Sequence, residues 1–385
     1  MTALMERRNF IAAAGLAGIL ATGSPPPVHA GQAIRWRLLS RLPRTMEIAH
    51  AALQFFTRTI KEISEGKFEI FIQSSDEAQS GGVFDSVQRG SVECGHTSAN
   101  YYLAKDETFA LDSGIPFGLN ARQSMAWLRH GNGLNLLREF YREQGIVNFP
   151  MGNTGAQMGG WYRRLPRSPA DFKGLRIRIA GLGTRILERM GATPTYLSST
   201  ETFLALQRGN IDAAEWSAPH DDLRLGLHDH CKYYGYPGWW RGSGQFSLFV
   251  NRRAYDALNT DNQAIVAAAA AATHLEILAQ YDTRNPLALE QLVATGTQLV
   301  ALPRAVLDAA YKHAQALYAE LAVKNPGWRK IHESQAAFLK DQAWDHAEMS
   351  FASYMHEQQL KSLKEQMQEQ KREQARKKSA PAGRR

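Results

Sequence analysis

Phe84-Asp85-Ser86-Val87-Gln88-Arg89-Gly90-Ser91-Val92-Glu93-Cys94-Gly95 and Phe203-Leu204-Ala205-Leu206-Gln207-Arg208-Gly209-Asn210-Ile211-Asp212-Ala213-Ala214 follow one pattern. In each, an apolar-periodic helix runs into Gln-Arg-Gly, and the glycine is placed to take the left-handed conformation that closes a helix. A β-branched residue, Val92 or Ile211, then opens a short strand. The strand runs out into Ser98-Ala99-Asn100-Tyr101 in the first copy and Glu215-Trp216-Ser217 in the second. Positions 84 and 203 are too far apart for a stacked solenoid repeat. Two similarly built lobes are expected instead. Open α/β sheets bind ligands at the carboxyl ends of their strands, so both exits point at one shared cleft.

The flanking segments agree. Ile34 to Leu39 alternates as a strand, Ile48 to Ile63 has helical periodicity and stops near Gly66, and Phe68 to Ile72 alternates again. This β-α-β opening predicts mainly parallel sheets with helical crossovers. In Asp171 to Ile179 a turn leads into a strand whose alternation puts Arg176 and Arg178 on one face. A helix from Thr184 to Met190 and a short strand at Thr195-Tyr196-Leu197 follow, and Asp261 through Gln280 is helical. The last helix is expected from Gln335 to about Lys378. Its far half keeps only Leu360, Leu363 and Met367 among polar residues, so it extends into solvent or packs across a partner subunit as a homodimer. The expected organisation is a lobe I main part at 31–150, a lobe II main part at 151–250 and a helical part at 251–340 that returns to the lobes. A long C-terminal helix at 341–378 and a disordered tail at 379–385 complete it.

Residues 1–30 read as a secretory signal: Glu6-Arg7-Arg8-Asn9, an apolar run to Leu20, and Val28-His29-Ala30 as a cleavage site. The Arg7-Arg8 pair also fits twin-arginine export. No later segment reads as a membrane span; Ala264 to Ala272 runs straight into Thr273, His274 and Glu276. A periplasmic protein is expected. The formal net charge is +8, but Lys361 to Arg385 alone holds nine Lys or Arg against three Glu. The body is then nearly neutral, which excludes a broad phosphate-binding face and argues against nucleic acid. The two cysteines, Cys94 and Cys231, make no disulfide framework and read as buried thiols.

No catalytic set assembles: G-x-S-x-G, H-E-x-x-H, C-x-x-C and the phosphate-binding G-x-x-x-x-G-K-[ST] are all missing from the sequence. An enzyme is therefore not expected. His228-Asp229-His230 could ligate a metal from a strand but reads better as a solvated turn, and Asp221-Asp222 should diverge on a helix. The binding set is stronger. Arg178 sits near the end of an apolar strand, where its planar fork can hold a carboxylate. The glycine-rich stretch Gly152 to Trp161 brings the amides of Asn153 and Gln157. Glu215-Trp216 ends the second repeat strand, and Gly238-Trp239-Trp240-Arg241-Gly242 adds aromatic wall and another cation.

These motifs resemble a known family. Gly-Asn-Thr-Gly-x-Gln-Met-Gly-Gly-Trp at 152–161, Lys-Gly-Leu-Arg-Ile-Arg-Ile-x-Gly at 173–181, Gly-Ala-Thr-Pro at 191–194, Ile-Asp-Ala-x-Glu-Trp at 211–216 and Lys-Tyr-Tyr-x-Tyr-Pro-Gly-Trp at 232–239 are similar to substrate-binding subunits of tripartite ATP-independent periplasmic (TRAP) transporters. The resemblance is to the branch that binds 2-oxo acids and related monocarboxylates. It implies an α/β, two-lobed periplasmic binding protein of type II-like fold with an interlobe cleft, delivering a small carboxylate (a 2-oxo acid, hydroxy acid or dicarboxylate) to membrane permease subunits. A same-fold receptor for a sensor protein is the alternative, and a hydrolase or lyase a remoter one. The resemblance gives Arg178 the ligand carboxylate, and gives Asn153 and Tyr101, or Tyr102 in its place, hydrogen bonds to the ligand. Trp239 would belong to the cleft wall. It further implies a bridging sodium or calcium ion held by Gln157, Glu215, the backbone of Trp216 and a second acidic residue after Pro-Gly-Trp. That last position is Arg241 here. A guanidinium about 4 Å from a cation repels it by several kcal/mol at an effective dielectric near 20. The expectation is that Arg241 pairs with Glu215 in place of the metal, in a cleft suited to a more negative ligand such as a dicarboxylate.

Overall fold

The computed structural model describes residues 33–73 and 82–345, together with the isolated positions 353, 355, 357, 368 and 372. The signal segment expected at 1–30, most of the expected C-terminal helix with the dimer contacts expected of it, and the expected tail lie outside the described residues.

Eleven strands run in chain order: β1 Ile34–Ser40, β2 Phe68–Ile72, β3 Cys94–Thr97, β4 Ile146–Asn153, β5 Gly160–Tyr162, β6 Arg176–Arg178, β7 Thr193–Thr195, β8 Ala213–Ala214, β9 Tyr233–Tyr236, β10 Gln245–Asn251 and β11 Gln298–Ala301. They form two sheets, β2-β1-β3-β10-β4 in lobe I and β11-β9-β5-β8-β6-β7 in lobe II. The sheets are more mixed than expected. The β1, β2 and β3 pairings, β11 with β9, and β6 with both β7 and β8 are parallel, whereas β10 and β5 run antiparallel to both neighbours. Both odd strands follow directly on a passage of the chain between lobes. A strand reached by a short loop rather than a helical crossover returns antiparallel.

The two repeat copies fall in different lobes, one feeding β3 and the other β8. Each helix closes with the same pair of bonds: Ser91 N to Ser86 O and Gly90 N to Val87 O in lobe I, Asn210 N to Ala205 O and Gly209 N to Leu206 O in lobe II. Gly90 and Gly209 have φ of +74° and +73°. This is the Schellman closure, which a side chain at the glycine would strain. The strands start two residues later than expected, at Cys94 and Ala213, because the closure uses the residues before them.

Three further helices join the lobes. Thr260–Ala294 packs Val266, Ala269, Ala270 and Ile277 against lobe I, while its later part meets the helix Pro219–Leu225 of lobe II. By length and composition this helix could cross a membrane, which corrects the reading that no segment after the signal could. Its buried residues pack on the sheet, on the helix Glu47–Ile63 and on Pro219–Leu225, while Leu275 and Leu287 stay exposed. Arg304–Lys324 packs on the lobe II helix Gly183–Arg189, and Pro326–Gln342 packs on the lobe I helix Gly133–Glu143. The latter helix begins at Pro326, not Gln335, because Asn325 caps it by accepting from Trp328 N. Helix Gly183–Arg189 starts one residue early, and β7 ends where the strand at Thr195 was expected to begin. Cys94 and Cys231 are buried free thiols.

Candidate functional site

The strand exits border a small, partly open cavity. Lobe I contributes Met46, Ser98, Asn100, Tyr101 and Phe246. Lobe II contributes Arg178, Ala180, Trp216 and Ser217. The passages between lobes add Thr154, Gln157 and Arg241. The lobes meet here: a Cβ placed on Gly181 of lobe II would stand 2.5 Å from Asn100 Oδ1 of lobe I.

Arg178 ends β6 with 5% of its surface exposed. Its Nε donates to Leu197 O at 3.1 Å, and its Nη1 donates to Glu215 O at 2.6 Å and to Glu215 Oε2 at 3.2 Å. The guanidinium lies over the Trp216 ring, 4.5 Å from its centroid. Burial pulls its pKa down and the Glu215 carboxylate partly restores it; an arginine remains charged through such a shift. Arg241 reaches the same carboxylate from the passage before β10, Nη2 to Glu215 Oε1 at 3.2 Å. Glu215 is thus held between two guanidiniums, one on each oxygen, and the three groups together carry one net positive charge. The Tyr101 hydroxyl lies nearby with its pKa raised by burial, so it enters as a neutral donor.

Three of the buried polar atoms that lack a hydrogen-bond partner belong to residues lining this one cavity: Gln157 Oε1, Trp216 Nε1 and Ser98 Oγ. Buried polar groups are normally paired. Such atoms also occur elsewhere among the described residues; those beside this cavity are groups that a polar ligand would pair.

Other expected residues stand elsewhere. Asn153 is fully buried and both ends of its amide are used: Oδ1 accepts from Gly155 N at 2.9 Å and Nδ2 donates to Ser243 Oγ at 3.2 Å. It braces the two inter-lobe passages and does not line the cavity. Tyr102 turns into the core, its hydroxyl 2.9 Å from Thr97 Oγ1 and its ring among Phe84, Phe109 and Phe249. Successive side chains of the 3₁₀ turn Ala99–Tyr102 step round by about 120°, which leaves Asn100 and Tyr101 on the cavity and turns Tyr102 into the core. Trp239 is buried between Phe117 and Trp240, at centroid distances of 5.5 and 3.8 Å. It supports the Arg241 loop from behind. His228 lies on a tight turn, Leu227–Asp229, rather than a strand, and His230 meets the Phe203 ring.

Met46, Ala180 and Phe246 are cavity residues that no motif singled out. Thr154 lay in the quoted glycine-rich motif, and Ser98, Asn100 and Ser217 in the quoted strand exits, without being assigned a role. Asp221 and Asp222 proved to be more than a divergent pair. Both are buried, Asp221 accepting from Ser217 Oγ and Tyr281 OH, Asp222 from Trp161 Nε1, Tyr234 OH and Ser217 N.

A hard cation seeks six or more oxygen ligands. Among the described residues no three His, Cys, Asp or Glu gather where they could hold one. The cavity's carboxylate has both oxygens on guanidiniums, which leaves only neutral amide, hydroxyl and backbone oxygens. This donor set does not fit a resident sodium or calcium ion.

A model of the bacterial extracellular solute-binding protein family 7 matches residues 40–325. The chain is 39% identical over 324 residues, 83% of its length and 89% of the relative's, to a monocarboxylate 2-oxoacid-binding periplasmic protein of Nostoc sp. strain PCC 7120. Among solved structures it resembles a TRAP transporter solute-binding protein of Bordetella bronchiseptica, a mixed-occupancy dimer with copurified calcium and picolinate. That match has TM-score 0.81 and 38% identity, covering 86% of this chain and 99% of the other. It also resembles a TRAP periplasmic solute-binding protein of Pseudoalteromonas atlantica with bound sodium and pyruvate, at TM-score 0.79 and 34% identity, covering 83% and 98%.

Proposed function

The chain belongs to family 7 of the bacterial extracellular solute-binding proteins, and from that membership we propose that its cleft captures a small organic monocarboxylate for delivery to the membrane permease of a TRAP transporter. The observation that carries the reading is Arg178. A buried guanidinium at the end of a strand, oriented by Leu197 O and Glu215, faces a cavity that the two lobes close together. Charge-assisted hydrogen bonds in such a dry site hold a carboxylate strongly. The neighbours' ligands, picolinate and pyruvate, are both single carboxylates. Because Glu215 neutralises one of the two guanidiniums, the remaining charge suits one carboxylate rather than two, which narrows the dicarboxylate expectation. Capture itself requires lobe closure and no chemical step.

In this reading Arg241 supplies, as part of the chain, the positive charge that calcium or sodium supplies in those neighbours. A chelator-treated sample therefore binds ligand as well as an untreated one, and elemental analysis finds no stoichiometric metal.

The test is a thermal-shift screen of mono- and dicarboxylates, with and without sodium or calcium, since a ligand bound to the folded state raises the melting temperature. A monocarboxylate is expected to stabilise the protein without added metal, and Arg178→Ala is expected to abolish that shift. Undiminished stabilisation of the variant would refute the role given to Arg178.

A further inference from the structure

Resting on the carboxylate-receptor reading above, we propose that the cleft prefers 2-hydroxy acids to 2-oxo acids of the same carbon skeleton, with Gln157 as the residue that decides between them.

Gln157 is buried at the cavity wall, and its Nε2 donates to Thr154 Oγ1 at 3.2 Å. The same hydroxyl accepts from Gly244 N at 3.2 Å and gives its own proton to Gly155 O at 3.2 Å. This arrangement favours one facing of the amide. Turned over, Gln157 would set an acceptor oxygen against a hydroxyl that must give up its bond to Gly155 O in order to donate. Its Oε1 therefore stays on the side away from Thr154, buried and without a partner. No guanidinium N–H of Arg178 or Arg241 reaches it; both arginines bond to Glu215 instead.

The cleft thus offers several donors, in the two guanidiniums and the unpartnered indole N–H of Trp216, a Ser98 hydroxyl that can serve either way, and a buried acceptor with no proton to give, Gln157 Oε1. A hydroxyl beside the ligand carboxylate answers both, since it accepts from a donor and donates its proton to Gln157 Oε1. A keto oxygen only accepts, and leaves Oε1 buried and unpaired after the cleft has closed. A metal ion could be shared between an amide oxygen and a keto oxygen, but the donor set here does not fit one. An ammonium group would also donate. It would, however, bring a second positive charge to a site whose single carboxylate is already taken.

The experiment is titration calorimetry on the full-length protein, with chelator present, using matched pairs: each enantiomer of lactate against pyruvate, and of 2-hydroxybutyrate against 2-oxobutyrate. One hydroxy enantiomer of each pair is expected to bind about tenfold more tightly than its oxo partner, the ordinary cost of one buried acceptor left unpaired. Gln157→Leu is expected to erase that ratio by weakening the hydroxy acid while leaving the oxo acid nearly unchanged. The wild-type comparison decides the matter even if the variant folds poorly. Equal or tighter binding of the oxo acids overturns the inference and leaves the receptor reading standing. Failure of all these acids to bind overturns both.

Discussion

Glu215 and Asp222 lie on one short stretch of chain, each with no more than 2% of its surface exposed, yet their surroundings are opposite in kind. Glu215 stands between the guanidiniums of Arg178 and Arg241 at the cavity. Asp222 is surrounded by an indole, a phenol and a backbone N–H, with Asp221 beside it on a second phenol and a serine. Neither aspartate has a hydrogen bond to a cation. Asp112 in lobe I follows the Asp222 pattern, taking Tyr141, Ser247 and Gln245 as donors. The contrast separates two uses of a buried acid. Paired with surplus cations, a carboxylate orients them and leaves positive charge for a ligand. Surrounded by neutral donors, it ties elements together and offers a ligand nothing. Asp221 does this across lobes, joining the helix Pro219–Leu225 to Tyr281 of the long helix.

The largest effect is expected at the cationic site. Arg241→Glu sets a second carboxylate beside Glu215 and removes one of its two partners. Breaking a buried ion pair costs about 3–5 kcal/mol, so metal-free ligand binding should fall by more than about a hundredfold. The two carboxylates with Gln157 then offer a hard cation its oxygen ligands, and added calcium should restore binding. Calorimetry with and without calcium checks this; tight binding by the variant in the presence of chelator would break the distinction.

Next comes the neutral site. Asp222→Asn turns an amide N–H toward groups that already donate, and should lower the unfolding free energy by about 2–3 kcal/mol, with ligand affinity changed little. Asp221→Asn should cost about 1 kcal/mol, since it receives fewer donors. Urea unfolding measures both. A loss of affinity at unchanged stability would show that the aspartates belong to the ligand site after all.

A smaller effect is expected where the lobes touch. Gly181 has φ of +82° and no room for a Cβ beside Asn100. Gly181→Ala should weaken affinity about tenfold through strain and hindered closure, and adding Asn100→Ala should recover part of it. If the single variant binds normally, the contact has no part in closure.

A pH dependence is expected at the same two aspartates. Burial pushes Asp221 and Asp222 up to about 7. The folded protein therefore holds these protons more tightly than the unfolded chain, whose carboxyls titrate near pH 4. Their contribution is full below that pH and declines as pH rises toward about 7, so unfolding free energy should fall across this window. The Asp221→Asn, Asp222→Asn double variant should flatten that slope in urea titrations at a series of pH values.

Much of the candidate site was legible because its signals are local. Gln-Arg-Gly specified the same helix closure in both lobes, and the strands after it had to emerge at one cleft. Alternation along β6 placed Arg178, and the strand end placed Glu215 and Trp216. Asn153, Tyr102 and Trp239 were read less well for a common reason. Each has the chemistry of a ligand contact, but each satisfies that chemistry with a partner inside the fold. Composition shows what a side chain can bond, and not whether Ser243, Thr97 or Phe117 has already taken it up.

The sequence by itself determined the two-lobed α/β plan, the helix closures at Gly90 and Gly209, the concentration of net charge near the C-terminus and the presence of an arginine at position 241. These depend on periodicity, on glycine's access to positive φ and on charge counting, all of which act over a few residues. Only the tertiary structure decided that Arg178 joins Arg241 on Glu215, that Asp221 and Asp222 are held by neutral donors, and that Gln157 keeps an unpaired oxygen. Those facts are distances between segments brought together by packing, and packing is where the choice of partner for a buried polar group is made.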